Sequence, residues 1–305
     1  MPSIICGSLA FDSIAVFPGR FADQILADQL HILNVSFLVP ELRREYGGCA
    51  GNIAYNLAAL GSEAVVVATV GSDGAAYVER LRGLGVVTRH VGVDPDAVTA
   101  QAYIMTDAAN NQISAFHPGA MQSAHRTPIP EAASLTGTVI GIVAPDGREA
   151  MLVHAEQFAA AGIPFVFDPG QGLPMFDGPA LQHFVDRATW LTVNDYEARM
   201  LAERTGRSME AHSRAPNLRG VVVTLGDDGA ELWRDGVRTH VPGLAAAAIV
   251  DPTGCGDAFR AGLLHGLERD WPLERALALG NRLGAAKIAS RGGQNHVVDR
   301  TVAAG

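Results

Sequence analysis

Short β-branched apolar runs alternate with longer amphipathic stretches along most of the chain, and the two periodicities predict different elements. Ser3 to Leu9, Ala64 to Val70, Val139 to Val143, Pro164 to Phe167, Trp190 to Val193 and Val221 to Thr224 are continuous apolar runs, as expected of strands buried on both faces. Ile53 to Leu60, Ala75 to Leu84, Arg148 to Ala161, Glu197 to Arg204 and Phe259 to Leu267 carry the helical period. Pro272 opens a last long helix, read as continuing to Ser290. Regular alternation of this kind predicts an α/β fold with a mostly parallel sheet between two helical layers. Ligands then belong at the carboxyl ends of the strands, where Asn194, Gly226 and the turn at Gly254 fall.

Two segments break the alternation, at about residues 13–46 and 99–118. His31 to Val39, Gln101 to Thr106 and Gln112 to Phe116 are strand-like there and suggest a small separate sheet inserted in one α/β unit. An apolar face on such a sheet invites pairing with a second copy.

The chemistry concentrates in Asp251-Pro252-Thr253-Gly254-Cys255-Gly256-Asp257, a glycine-rich turn at the start of an apolar helix. The first turn of a helix has backbone N–H groups without intrahelical partners, and its dipole favours negative charge. Gly254 and Gly256 allow close approach of an anion. Asp257 would repel that anion, so its more economical role is to take a proton from an attacking hydroxyl. A cap on the helix is the alternative reading of the same position.

That stretch resembles the C-terminal signature of the ribokinase-like (pfkB-type) carbohydrate kinases. Gly47-Gly48-Cys49-Ala50-Gly51-Asn52 is similar to the family's Gly-Gly-x-x-x-Asn substrate signature, and Asn194-Asp195-Tyr196-Glu197 to its Asn-x-x-Glu motif. Thr224 to Ala230 resembles its nucleotide-binding turn. The resemblance implies a three-layer ribokinase-like fold whose small sheet is a lid excluding water from the phosphoryl donor. It implies Asp257 as base, with Gly254, Cys255 and Gly256 stabilising the transferring phosphoryl group, and homodimerisation through the lid. ATP would lie against Asn194, Thr224, Gly226 and Gly229, with magnesium held through water by Glu197.

Finer likeness, in Phe17 to Phe21, Leu30 to Val39, Phe116 to Met121 and Asp257 to Gly262, is to the bacterial adenosine kinases of the family. It implies phosphorylation of adenosine to AMP in purine salvage, with Asp12, Asn52 and backbone at Gly48 on the ribose diol. Ser36, Phe116 and Met121, with Phe37, are the remaining nucleoside-binding candidates. Ala102 departs from the pattern, which has an aromatic there, and leaves guanosine, inosine, cytidine or a sugar such as ribose open as acceptors. Carbonyls near Asp251, Thr253, Ser290 and Gly293 resemble the loop that binds potassium in relatives.

Composition narrows the alternatives. The 305 residues carry a net charge of −9, against a nucleic-acid or anionic-membrane surface. No apolar run approaches a bilayer-spanning length and no leader pattern opens the chain, so a cytoplasmic location is expected. Cys6, Cys49 and Cys255 include no Cys-x-x-Cys pair. The only lysine is Lys287, which removes the lysine-dependent Walker and protein-kinase phosphate sites.

Overall fold

The computed structural model describes residues 2–25, 32, 34–109, 111–131 and 139–299. In chain order the first half runs β1 (Pro2–Cys6), β2 (Ala10–Val16), β3 (Glu41–Gly47), α1 (Cys49–Ala59), β4 (Glu63–Gly71), α2 (Ala75–Gly83), β5 (Val87–Asp94), β6 (Ala100–Thr106), β7 (Gln112–His117), β8 (Ile140–Val143) and α3 (Arg148–Ala160). The second half runs β9 (Phe165–Phe167), α4 (Gly178–Val185), β10 (Trp190–Asn194), α5 (Asp195–Thr205), α6 (Met209–His212), β11 (Gly220–Thr224), β12 (Gly229–Arg234), β13 (Val237–Pro242), α7 (Cys255–Leu267) and α8 (Leu273–Ile288).

The large sheet has the order β13-β12-β11-β10-β9-β8-β1-β4-β5. It is parallel from β5 to β11, and β12 and β13 add an antiparallel edge. Side chains alternate along each strand, so one strand feeds two cores. On β1, Ile5 joins the core with Ile53 and Leu57 of α1 and Leu263 of α7. Its neighbours Ile4 and Cys6 join Met151 and Phe158 of α3 and Phe184 of α4 on the other face. The strand order reverses at β1 and β8, which opens a crevice beyond their carboxyl ends.

The predicted strands and helices of the α/β unit are present with small shifts. The first strand ends at Cys6 rather than Leu9, and α1 and α7 begin earlier than the apolar period alone suggested, at Cys49 and Cys255. Polar and glycine residues in those first turns hid the starts. The strand β5 and the helix α4 were not anticipated, although Asp177 caps α4 by accepting from the Ala180 N–H.

The small sheet has the order β3-β2-β6-β7. One expectation for it fails: His31 to Val39 is not a strand over its described residues, since residues 34–39 form no ladder. Exposure does alternate along residues 34–39, yet a strand also needs a hydrogen-bonded partner, and the neighbours of β2 are β3 and β6. The Phe37 ring instead packs against Phe17 and Phe21, with centroids 5.0 and 5.1 Å apart.

The helices α7 and α8 cross with backbones nearly touching, because a Cβ at Gly262 would sit 2.6 Å from Gly280 Cα. Replacing Gly262 by Ala should therefore force α7 away from α8 and destabilise the protein by about 1–3 kcal/mol. Urea unfolding of Gly262→Ala against the parent tests this; equal midpoints would show that the crossing can yield without cost.

Candidate active site

The turn between β3 and α1 forms one wall of the crevice. Gly48 has φ +84°, and a Cβ there would lie 2.5 Å from the Ser8 carbonyl oxygen. Only glycine fits both the left-handed backbone and that approach. Ser8 holds the start of α1 in return: its Oγ accepts from the Cys49 N–H at 3.2 Å and its carbonyl from the Ala50 N–H at 3.0 Å. Gly47 leaves room for a carboxylate, since a Cβ there would stand 2.4 Å from Asp12 Oδ2. Asp12 is buried, and burial, with repulsion from Asp251, Asp257 and Glu45, pushes its carboxyl up to about 6.

The opposite wall is the start of α7. Gly254 is the residue before the helix, in the left-handed region at φ +79°, and no side chain caps the first turn. Asp257 does not serve as the cap. Its Oδ2 accepts from Asn52 Nδ2 at 2.8 Å. Asn52 Oδ1 accepts in turn from Gln294 Nε2 at 3.1 Å, and Gln294 also donates to the Tyr77 hydroxyl, which donates to the Gly47 carbonyl at 2.6 Å. This relay joins the two glycine turns through buried side chains. Burial raises the Asp257 carboxyl to about 6, against the opposing pull of Asn52 and Arg260. A carboxylate with that value is ionised at neutral pH and still basic enough to take a proton.

Behind Asp257 lies an ion pair that the sequence did not reveal. Arg260, one turn further along α7, donates from Nε to Asp168 Oδ2 at 2.9 Å and from Nη2 to Oδ1 at 3.0 Å, with both side chains buried. Asp168 follows directly on β9, at the ligand-facing end of a parallel strand, and that position is the signal that could have found it. Asn194 and Glu197 make a reciprocal cap at the start of α5: Asn194 Oδ1 accepts from the Glu197 N–H at 2.7 Å, and Glu197 Oε2 from the Asn194 N–H at 2.8 Å. The Glu197 carboxyl is raised by burial and by nearby Asp168.

Two clefts meet over the start of α7. The larger, about 530 Å³, is lined by Thr224, Gly226, Gly229 and Cys255 together with small residues of α8, among them Gly280 and Gly284. The second, about 450 Å³, contains Asn194, Glu197, Gly254, Asp257, Asp168 and Arg260. Both include Thr224, Gly226 and Gly256, so they are continuous across the uncapped amides.

On the small sheet, Glu45, Asp12, Ala102 and Phe116 stand directly opposite one another across β3, β2, β6 and β7. Residues paired in this way share a face, so Phe116 lies on the Asp12 side, with the small Ala102 between them. Tyr103 lies on the other face and is exposed. Met121 is half-buried in the short helical turn Gly119–Arg126. Ser36 is exposed on the irregular segment before β3.

The loop read as a potassium site carries an ammonium instead. Lys287, in the last turn of α8 and fully buried, donates from Nζ to the Asp251 carbonyl at 2.7 Å and to the Ser290 carbonyl at 3.0 Å. Thr253 has no contact with Lys287 of this kind; its N–H bonds Asp251 Oδ1 at 2.9 Å. Gly293 lies beside the other wall, where a Cβ would stand 2.4 Å from Asn52 Oδ1.

The model of the pfkB family of carbohydrate kinases matches residues 12–300. The chain is 44% identical to the nucleoside kinase of Burkholderia thailandensis, solved in complex with inosine, covering 99% of this chain and 95% of that one with a TM-score of 0.87. That kinase has also been solved in complex with ADP-inosine, at a TM-score of 0.83. A nucleoside kinase of Methanocaldococcus jannaschii is 27% identical over 267 residues, 87% of this chain and 86% of the relative.

Stability offers a check on the half-buried carboxylate of Asp257. The Asp257 carboxyl rises from 3.8 to about 6 on folding, so its contribution is present below pH 4 and lost as pH rises through 6. At pH 8 this half-buried charge therefore costs up to about 3 kcal/mol. Asp257→Asn keeps an acceptor for Asn52 and should be more stable than the parent at pH 8, with the gap narrowing at pH 5. Chemical denaturation at the two pH values measures this. A gap independent of pH would mean that Asp257 is not held ionised against its surroundings.

Proposed function

The chain belongs to the pfkB family of carbohydrate kinases, phosphotransferases with an alcohol as acceptor, and from that premise we propose that it is an ATP-dependent nucleoside kinase. The observation that carries the reading is the continuous cleft over the start of α7, which contains Asp257, a carboxylate within electrostatic reach of Asp12 in the row Asp12, Ala102, Phe116. In this reading the adenine of ATP occupies the larger cleft and its phosphates cross the amides at Gly254 to Gly256. Those amides are preorganised for the charge of the transferring phosphoryl group.

Asp257 takes the proton of the 5′-hydroxyl as that oxygen bonds the γ-phosphorus and the bond to ADP breaks. Asn52 aims the carboxylate through its Nδ2 bond, and Gln294 aims Asn52. The Asp168–Arg260 pair gives Arg260 a fixed place beside the phosphates while neutralising a carboxylate next to the base. Glu197 and Asn194 would hold magnesium through water, the ion offsetting phosphate charge; the cap engages Glu197 through Oε2, and a raised carboxyl beside Asp168 suits a dication.

The ribose diol bonds Asp12 and the remaining N–H and lone pair of the Asn52 amide. The base lies against Phe116, with Ala102 leaving space where a larger residue would close the slot. Adenosine is the acceptor suggested by the sequence resemblance. A wider range, inosine included, is favoured by Ala102 and by the inosine complex of the Burkholderia thailandensis relative.

A coupled ADP-release assay over adenosine, inosine, guanosine, cytidine, ribose and fructose 6-phosphate tests the class. Nucleosides should exceed the sugars by at least about tenfold in kcat/KM, the scale set by contacts to the base. Preference for ribose or the sugar phosphate would overturn the reading. Asp257→Asn should lower kcat by roughly 10²–10⁴ while KM for both substrates stays within a few-fold. Near-normal turnover would remove Asp257 as the base.

The 2′-deoxy and 3′-deoxy forms of the best nucleoside should each lose about 5- to 100-fold in kcat/KM, because the buried polar groups of Asp12 and Asn52 would go unpaired at about 1–3 kcal/mol each. Equal values for the deoxy and parent nucleosides would take both residues out of the ribose site.

A further inference from the structure

The potassium ion that the sequence resemblance implied does not fit the residues present. Two of the carbonyls expected to bind it, at Asp251 and Ser290, accept from Lys287 Nζ at 2.7 and 3.0 Å. We propose that the ammonium of Lys287 replaces a monovalent cation in this protein and makes its kinase activity independent of potassium.

Lys287 is the only lysine in the chain and is fully buried, a costly placement for a charge unless it is compensated. The compensation is local. Two carbonyls accept from it, the last turn of α8 presents the negative end of its dipole, and the Asp251 carboxylate lies close enough to feel the charge. An ammonium is a compact point charge with three donors, so it can gather carbonyl oxygens as a small cation does.

What it gathers is the approach to the phosphate site. Every polar atom of Asp251 is engaged. Its N–H donates to the Ile288 carbonyl at 3.1 Å and its carbonyl accepts from Lys287. Its carboxylate accepts from the Thr253 N–H at 2.9 Å and the Gly292 N–H at 2.8 Å. Three residues later Gly254 turns into α7. The end of α8 thus fixes where the amides of Gly254 to Gly256 point, and Lys287 is a positioning residue acting through that loop.

The inference rests on the cleft binding ATP, so nucleotide binding is measured separately. For the parent protein, kcat and KM for ATP would be measured in potassium, sodium and tetramethylammonium salts at a matched ionic strength of about 0.1 M. Values agreeing within about twofold are expected, while a loss of about tenfold or more without potassium would overturn the proposal.

Lys287→Gln should lose about tenfold or more in kcat/KM for ATP in tetramethylammonium, and potassium or ammonium should restore most of it. The melting temperature of Lys287→Gln without nucleotide should rise with potassium but not tetramethylammonium, and that of the parent with neither. A variant that is unimpaired, or impaired but rescued by no cation, would overturn the proposal. Calorimetric titration of the parent with ADP separates the two failures: no ADP binding would sink the ATP reading, whereas binding with potassium dependence would sink only the role of Lys287.

Discussion

The cleft depends on one helix end left open. Three helices begin against a side-chain cap: Asp177 for α4, the Asn194 and Glu197 pair for α5, and Ser208 for α6. No side chain caps α7, and Gly254 enters it in a left-handed conformation that keeps a Cβ out of the way. An uncapped first turn is unfavourable in isolation and becomes favourable when an anion completes it. The surrounding structure keeps that turn in place. The close crossing of α7 on α8, the relay from Tyr77 through Gln294 and Asn52 to Asp257, and the fully engaged Asp251 each immobilise one side of it.

Charge is the second constraint, and it follows from the first. Asp12, Asp168, Glu197, Asp251 and Asp257 all gather near the uncapped start of α7. Burial and mutual repulsion raise Asp12, Asp257 and Glu197 above the usual carboxylate range. Two buried cations offset part of this negative charge, Arg260 at Asp257 and Glu197, and Lys287 at Asp251. Arg260 takes Asp168 in a two-pronged pair whose geometry suits a guanidinium, and Lys287 takes carbonyls that suit an ammonium. The neutral amide of Asn52 sits between the two acidic walls, where a further charge would have to be matched. A carboxylate raised above its usual range thus stands in the first turn of a helix whose amides no side chain caps, an arrangement that suits an anion.

The small sheet supplies the other half of the site through simple register. A single row across four strands sets Glu45, Asp12, Ala102 and Phe116 on one face. Slipping β6 by one residue would place Tyr103 in that row and send Ala102 to the outer face, because side chains alternate with a period of two. Which residue stands between Asp12 and Phe116 therefore depends on strand pairing as much as on the identity of residue 102. Residues 34–39, before β3, add no strand to this sheet, and Phe37 packs with Phe17 and Phe21 instead.

Much of the fold was legible before any coordinates. Continuous apolar runs such as Ala64 to Val70 and helical periods such as Arg148 to Ala161 report local burial directly, since a parallel strand is covered on both faces and a helix on one. The glycine turns at Gly47 and Gly254 were legible for a similar reason: backbone approach and a left-handed φ are requirements that the residue type itself records. The strand expected at His31 to Val39 failed because alternation shows which residues face inward, not whether a partner strand is present. Asp168 was invisible beside Arg260, 92 positions away, because an ion pair between distant residues leaves no periodic trace. Lys287 entered the sequence reading only as the single lysine, and the carbonyls it binds, at Asp251 and Ser290, were read as part of a cation site. Carbonyl donors are present in every peptide unit, so which of them converge, and on what charge, was decided only when α8 packed against α7 and brought its last turn to the loop at Asp251.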